Sequence, residues 1–158
     1  MGAVSAVGAD QPLGRLLAAA LAAVVDELHE RLADAGWPRV RPMWGFVLLA
    51  LRDRPSNIGE VGELLGVTKQ AAAKVVTSLV DEGLVERRAD PRDARAAVLG
   101  LTPGGRRFLA DAETAYQAIE AGWAEAAGRR DVDALRRALS TVLRTRYGPQ
   151  EPPLRPVL

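Results

Sequence analysis

The 158-residue chain carries a net charge of +1, is 48% hydrophobic and 26% charged, and holds enough apolar side chains for one domain with helical extensions. It has no cysteine and a single histidine, His29, which excludes disulfides and thiolate metal sites and leaves no expected zinc site, other metal site or cofactor. Aromatic residues make up only 4%, and the abundance of alanine favours helix over sheet.

Residues 1–11 are small and polar and read as a lead-in. From Pro12 to about Ala35, Leu13, Leu16, Leu17, Ala20, Leu21, Val24, Leu28 and Leu32 recur at helical spacing. The first half of this helix is apolar nearly all round, so it must be covered on more than one side. In a short chain, a second subunit is the expected cover. The run Leu16–Val25 lacks the flanks of a secretion signal, because Met1–Gly14 holds no Lys or Arg and Asp26–Glu27 follow directly. Nothing is long enough to span a bilayer, so a cytoplasmic protein with no membrane partner is expected.

Gly36–Trp37–Pro38 ends the first helix, and a second is expected from about Arg41 to Leu51. Asn57-x-x-Glu60 fits a capping box opening a short helix to Leu65, which Gly66 stops. Thr68 caps the next helix, which runs to Glu82. Two extended segments follow, about Leu84–Arg88 and Ala96–Leu101, with Asp90–Pro91 suited to the turn between them. Thr102–Pro103 begins another helix, whose expected buried stripe is Phe108, Ala112, Tyr116, Ile119, Trp123 and Ala126. Asp131 is the expected cap of a last helix carrying Leu135, Leu139, Val142 and Leu143. The tail from Gly148 holds four prolines.

Helix, short helix, tight turn, helix, hairpin, helix is a winged helix-turn-helix order. The expected class is mainly α: a winged helix-turn-helix with a two-stranded wing and long terminal dimerisation helices. The expected divisions are an N-terminal dimerisation helix (1–35), a DNA-binding domain (36–105), C-terminal dimerisation helices (106–147) and an irregular tail (148–158).

At 100° per residue from Lys69, the helix after Thr68 places Ala72, Val75, Val76 and Leu79 between about 240° and 340°. Lys69, Gln70, Ala73, Lys74 and Thr77 fall between about 0° and 140°. One side can dock on its own domain while the other reaches base edges and phosphates in a major groove. The chain's only two lysines, against nineteen arginines, both lie on that polar arc. From Gly66 to Arg107 eight basic residues face five acidic ones, a surplus of +3 that leaves −2 for the remainder. Around the hairpin tip stand Arg87, Arg88, Arg92 and Arg95, long cations on a slender ribbon, as a minor-groove probe requires. Asp93 is expected to support the wing by orienting Arg95.

Four motifs, Gly66-Val67-Thr68-Lys69-Gln70-Ala71-Ala72, Leu79-Val80-Asp81-Glu82-Gly83-Leu84-Val85-Glu86-Arg87-Arg88, Asp90-Pro91-Arg92-Asp93-Ala94-Arg95 and Leu101-Thr102-Pro103-Gly104-Gly105, together resemble the signature of the MarR family. The resemblance covers about residues 41–110. It implies a homodimeric repressor with interlocked terminal helices, a recognition helix over 68–83, Arg95 as the wing-tip arginine, and release of DNA by a small ligand. Ala94 stands where the family often has a second basic residue, and Ala71 and Ala73 where hydroxylated residues are common.

The expected DNA-binding set is Thr68, Lys69, Gln70, Ala73, Lys74, Thr77, Arg87, Arg88, Arg92 and Arg95, acting on a near-palindromic operator as a homodimer. The alternative is a winged-helix module that docks on a protein, against which the basic reading face argues. No residue set supports catalysis. Trp37, Pro38, Arg41 and Trp44 cluster where the first two helices meet and, with His29 on the first helix, form the candidate pocket for a small aromatic or acidic effector.

Overall fold

A computed structural model describes residues 11–90 and 93–148, with the backbone alone at 93–96. The elements in chain order are α1 (Leu13–Asp34), α2 (Pro42–Asp53), α3 (Ile58–Leu65), α4 (Lys69–Asp81), β1 (Val85–Asp90), β2 (Asp93–Leu101), α5 (Pro103–Ala127) and α6 (Arg129–Tyr147). The fold is the expected one, mainly helical with a two-stranded antiparallel wing.

Local chemistry fixes most boundaries. Asn57 accepts from the Glu60 amide at 3.0 Å while Glu60 accepts from the Asn57 amide at 2.8 Å, closing both halves of the capping box. Gly66 ends α3 at φ 65°, ψ 30°, a left-handed conformation that a side chain would resist. Thr68 Oγ accepts from the Ala71 amide, starting α4 one tight turn later. Thr102 Oγ accepts from the Gly105 amide at 3.0 Å and donates to the Gly83 carbonyl at 2.6 Å. It therefore caps α5 and pins the root of the wing at once.

The core lies between α2, α3, α4, the wing and the start of α5. Val47, Leu48, Val61, Leu65, Val76, Leu79, Leu84, Leu99 and Phe108 are buried there, joined by Leu32 from the end of α1. Directionless apolar contact of this kind supplies most of the cohesion of such a lobe. Ser56 exchanges two backbone hydrogen bonds with Leu99, at 3.2 and 2.8 Å, adding a one-residue bridge along β2.

Three expectations need correction. The strands reach further toward the tip than expected, with Ala89 opposite Ala97 and Asp90 opposite Asp93 after a register shift. The charged residues there have little strand preference of their own, so cross-strand pairing carries them. On α5 the buried positions are Gly105, Phe108, Ala115 and Ile119, whereas Tyr116 is 48% exposed and Ala126 is also exposed. Successive four-residue steps drift about 40° each, so Tyr116 rolls off the stripe that Ala115 completes. Finally, α6 starts at Arg129 with Gly128 as its cap, and Asp131 sits inside the first turn, where its charge complements the helix dipole.

Candidate nucleic-acid interface

The helix-turn-helix presents α4 with its two sides divided as the sequence requires. Ala72, Val76 and Leu79 are fully buried as a floor, while Lys69, Gln70, Lys74 and Thr77 are exposed. Thr68 is exposed at the helix start and Ala73 is half-buried. These side chains thus share one accessible surface, two cations flanking an amide and a hydroxyl.

Beside it stands the wing. Arg87 and Arg88 on β1 are both exposed. Arg88 forms an ion pair with Glu86, which offsets part of its charge. Arg92 lies outside the described residues, and for Asp93 and Arg95 only the strand backbone is described.

The aromatic cluster resolves into two different arrangements. Trp44 is 4% exposed and its indole N–H donates to Ser78 Oγ at 2.9 Å, while Ser78 Oγ donates to the Val75 carbonyl at 2.8 Å. Trp37, half-buried, donates to Asp111 Oδ2 at 2.8 Å, meets Phe108 edge-on at 5.4 Å between centroids, and lies under the Arg107 guanidinium at 5.6 Å. A cleft of about 260 Å³ is lined by Gly36, Trp37, Pro38, Arg39, Trp44, Glu82 and Leu84. Its cation is Arg39, which faces Glu82 at 3.6 Å. Arg41 is exposed at the α2 cap, and His29 is half-buried on α1; neither lines the cleft.

Ser78, Arg39 and Asp111 are the residues sequence reasoning passed over. A signal existed for Ser78, which borders the apolar side of α4 as a polar residue. Arg39 and Asp111 are placed by tertiary packing alone.

On the terminal helices Leu13 (65%), Leu21 (46%), Val142 (64%) and Leu143 (41%) stand exposed. Tyr116 on α5 has its hydroxyl pushed above the usual tyrosine range, first by burial and second by the Glu113 carboxylate. Among the described residues no helix is long and apolar enough to cross a membrane, and no group of three or more acidic or histidine side chains is arranged to hold a metal.

A capped helix-turn-helix with a basic outer face, followed directly by a two-stranded wing, defines the winged helix-turn-helix class of transcriptional regulators. The sequence profile of the MarR family matches residues 40–96. The transcriptional repressor CouR, solved bound to a 23-mer DNA duplex, shares 30% identity with the chain, which covers 92% of it (83% of this chain), at a TM-score of 0.66. The reduced form of MarR from E. coli shares 25% identity over 86% of this chain and 99% of that one, at a TM-score of 0.72. The HTH-type transcriptional regulator PetP of Rhodobacter capsulatus is 35% identical over 80 residues, 51% of this chain. The match covers 48% of PetP, so the chain spans about half the length of that curated relative. The chain belongs to the MarR family of transcriptional regulators.

Proposed function

We propose that the protein is a homodimeric, sequence-specific DNA-binding repressor of the cytoplasm, released from a near-palindromic operator by a small aromatic or acidic ligand. The observation that carries this reading is α4, whose aliphatic floor of Ala72, Val76 and Leu79 is sealed while Lys69, Gln70, Lys74 and Thr77 face outward. Gln70 has the bidentate amide that suits adenine, and the lysines suit phosphate. Arg87, Arg88, Arg92 and Arg95 would reach the minor groove beside it, with Asp93 orienting Arg95.

Dimerisation is supported by the apolar side chains that α1 and α6 leave exposed, Leu13, Leu21, Val142 and Leu143. A second copy would cover them and set the two recognition helices about one DNA turn apart, roughly 10 bp. For the effector, the cleft between Trp37 and Trp44 offers aromatic walls and one guanidinium, Arg39. A planar carboxylate held there would compete with Glu82, the C-cap of α4, for the Arg39 guanidinium, and so bear on the reading helix. The recognition helix and the cleft would then be linked reciprocally, through a coupling of about 1–3 kcal/mol. His29 and Arg41 would act only from outside the lining.

The deciding experiment is retention on duplex DNA across a salt series, using an operator selected from random duplexes. Affinity should fall steeply with salt, and Arg95→Ala should lower the log–log slope by about 1. Equal, salt-independent weakness on every duplex would remove DNA as the partner and leave docking on a protein.

A further inference from the structure

We infer that the hydrogen bond from Trp44 to Ser78 sets the rotation of α4 about its own axis, making both residues positioning residues for base discrimination. The inference rests on α4 being the helix that reads DNA. Its floor is Ala72, Val76 and Leu79, aliphatic side chains with 0% exposure. Such contacts are strong in sum but directionless, so they hold the helix down more firmly than they resist rolling.

Ser78 falls at about 180° on the helix wheel, on the flank between the floor and the polar arc. A bond on the flank lengthens as soon as the helix rolls. This one is directional and shielded, with its donor on a residue of α2 that is 4% exposed. Ser78 spends its donor on the Val75 carbonyl and an acceptor site on the Trp44 indole, so its hydroxyl is fixed from both sides. A second polar tie lies at the C-cap of this helix, Arg39 to Glu82, whose arginine side chain is 79% exposed and is screened by solvent.

The lever is short and the tolerance shorter. With side chains reaching about 6 Å from the axis, a roll of about 20° moves their tips by about 2 Å. A hydrogen bond to a base edge survives only a few tenths of an ångström of such motion. Phosphate contacts made by flexible lysines accommodate it. Loss of the Trp44–Ser78 bond is therefore read as loss of selectivity, with general affinity for DNA retained.

The test uses the full chain, a selected operator and an unrelated duplex, with Kd and salt slope measured for each. Selective binding by the wild type establishes the reading beneath the inference, and its absence would sink both, before any variant is made. Given that selectivity, Ser78→Ala should weaken operator binding about tenfold and leave the unrelated duplex and both salt slopes unchanged, because the indole N–H loses its partner. Ser78→Thr, which keeps a hydroxyl, should restore most of the loss. Full selectivity in a folded Ser78→Ala protein, or equal loss on both duplexes, overturns the proposal. If circular dichroism finds Ser78→Ala unfolded, Trp44→Phe is judged by the same criteria, since it removes the donor and leaves Ser78 bonded to Val75.

Discussion

Gly105→Ala places a methyl group where the wing root has no room. A Cβ at this position would stand 2.1 Å from the Leu84 carbonyl oxygen and 3.2 Å from Leu101 Cδ2. Contact with a backbone oxygen cannot be relieved by turning a side chain, so the start of α5 and the start of β1 must separate by about 1 Å. Overpacking of this severity costs about 3 kcal/mol. The change also gains helix preference, about 1 kcal/mol for Gly to Ala in a helix. The expected net loss is about 2 kcal/mol, or roughly 4–8 °C in melting temperature for a chain of this size. Gly45→Ala in α2 is the matched control: its Cβ would meet nothing within 4 Å, so the helix gain of up to about 1 kcal/mol should appear alone. Chemical denaturation followed by circular dichroism, at one fixed protomer concentration, compares the two. If Gly105→Ala proves as stable as wild type, or gains as Gly45→Ala does, the close approach at the wing root is not as described.

Asn57→Ala should cost about 1 kcal/mol, since it removes the side-chain acceptor of the Glu60 amide and leaves only the backbone bond to the Glu60 carboxylate; an unchanged denaturation midpoint would mean the cap is idle. Gln70→Ala should cost roughly 1–3 kcal/mol on a selected operator and relax base choice, which a repeated selection would detect. Lys69→Ala and Lys74→Ala should instead weaken all duplexes evenly, and wild-type binding by both would remove α4 from the interface. Val142→Asp should shift the protein toward monomer in light scattering, because this residue is 64% exposed on a single chain and a buried partner contact would not accept the charge.

The parts of this fold written as local chemistry could be read directly. Asn57 and Glu60, Gly66, Thr68 and, as a helix cap, Thr102 act within four residues of themselves and stand where local chemistry puts them; the second bond of Thr102, to the Gly83 carbonyl 19 residues away, did not show in the sequence. The division of α4 into a sealed side and an open one was equally readable, because a single period governs it. What escaped depended on distance along the chain. Trp37 and Trp44 look alike in sequence, yet one is tied to Asp111, 74 residues away, and the other to Ser78, 34 away. Arg39 and Arg41 are interchangeable by composition, and only the path of the loop puts Arg39 against the cleft. The wing was underestimated for the opposite reason: Ala89 and Asp90 read as turn by preference, and become strand because β2 supplies partners.

One consequence lies in the length of α5. Its 25 residues begin at the knot of Thr102 and Gly105 beneath the wing and end where α6 begins, a rod of about 37 Å. Any rod rooted in a reading head is a lever. Tilting it by about 5° at the far end displaces the head by about 3 Å, close to the 3.4 Å that separates successive base pairs. In the proposed homodimer, the angle at which two such rods meet would act as a caliper. A change too small to disturb the packing of either subunit would decide whether an operator one base pair longer still fits.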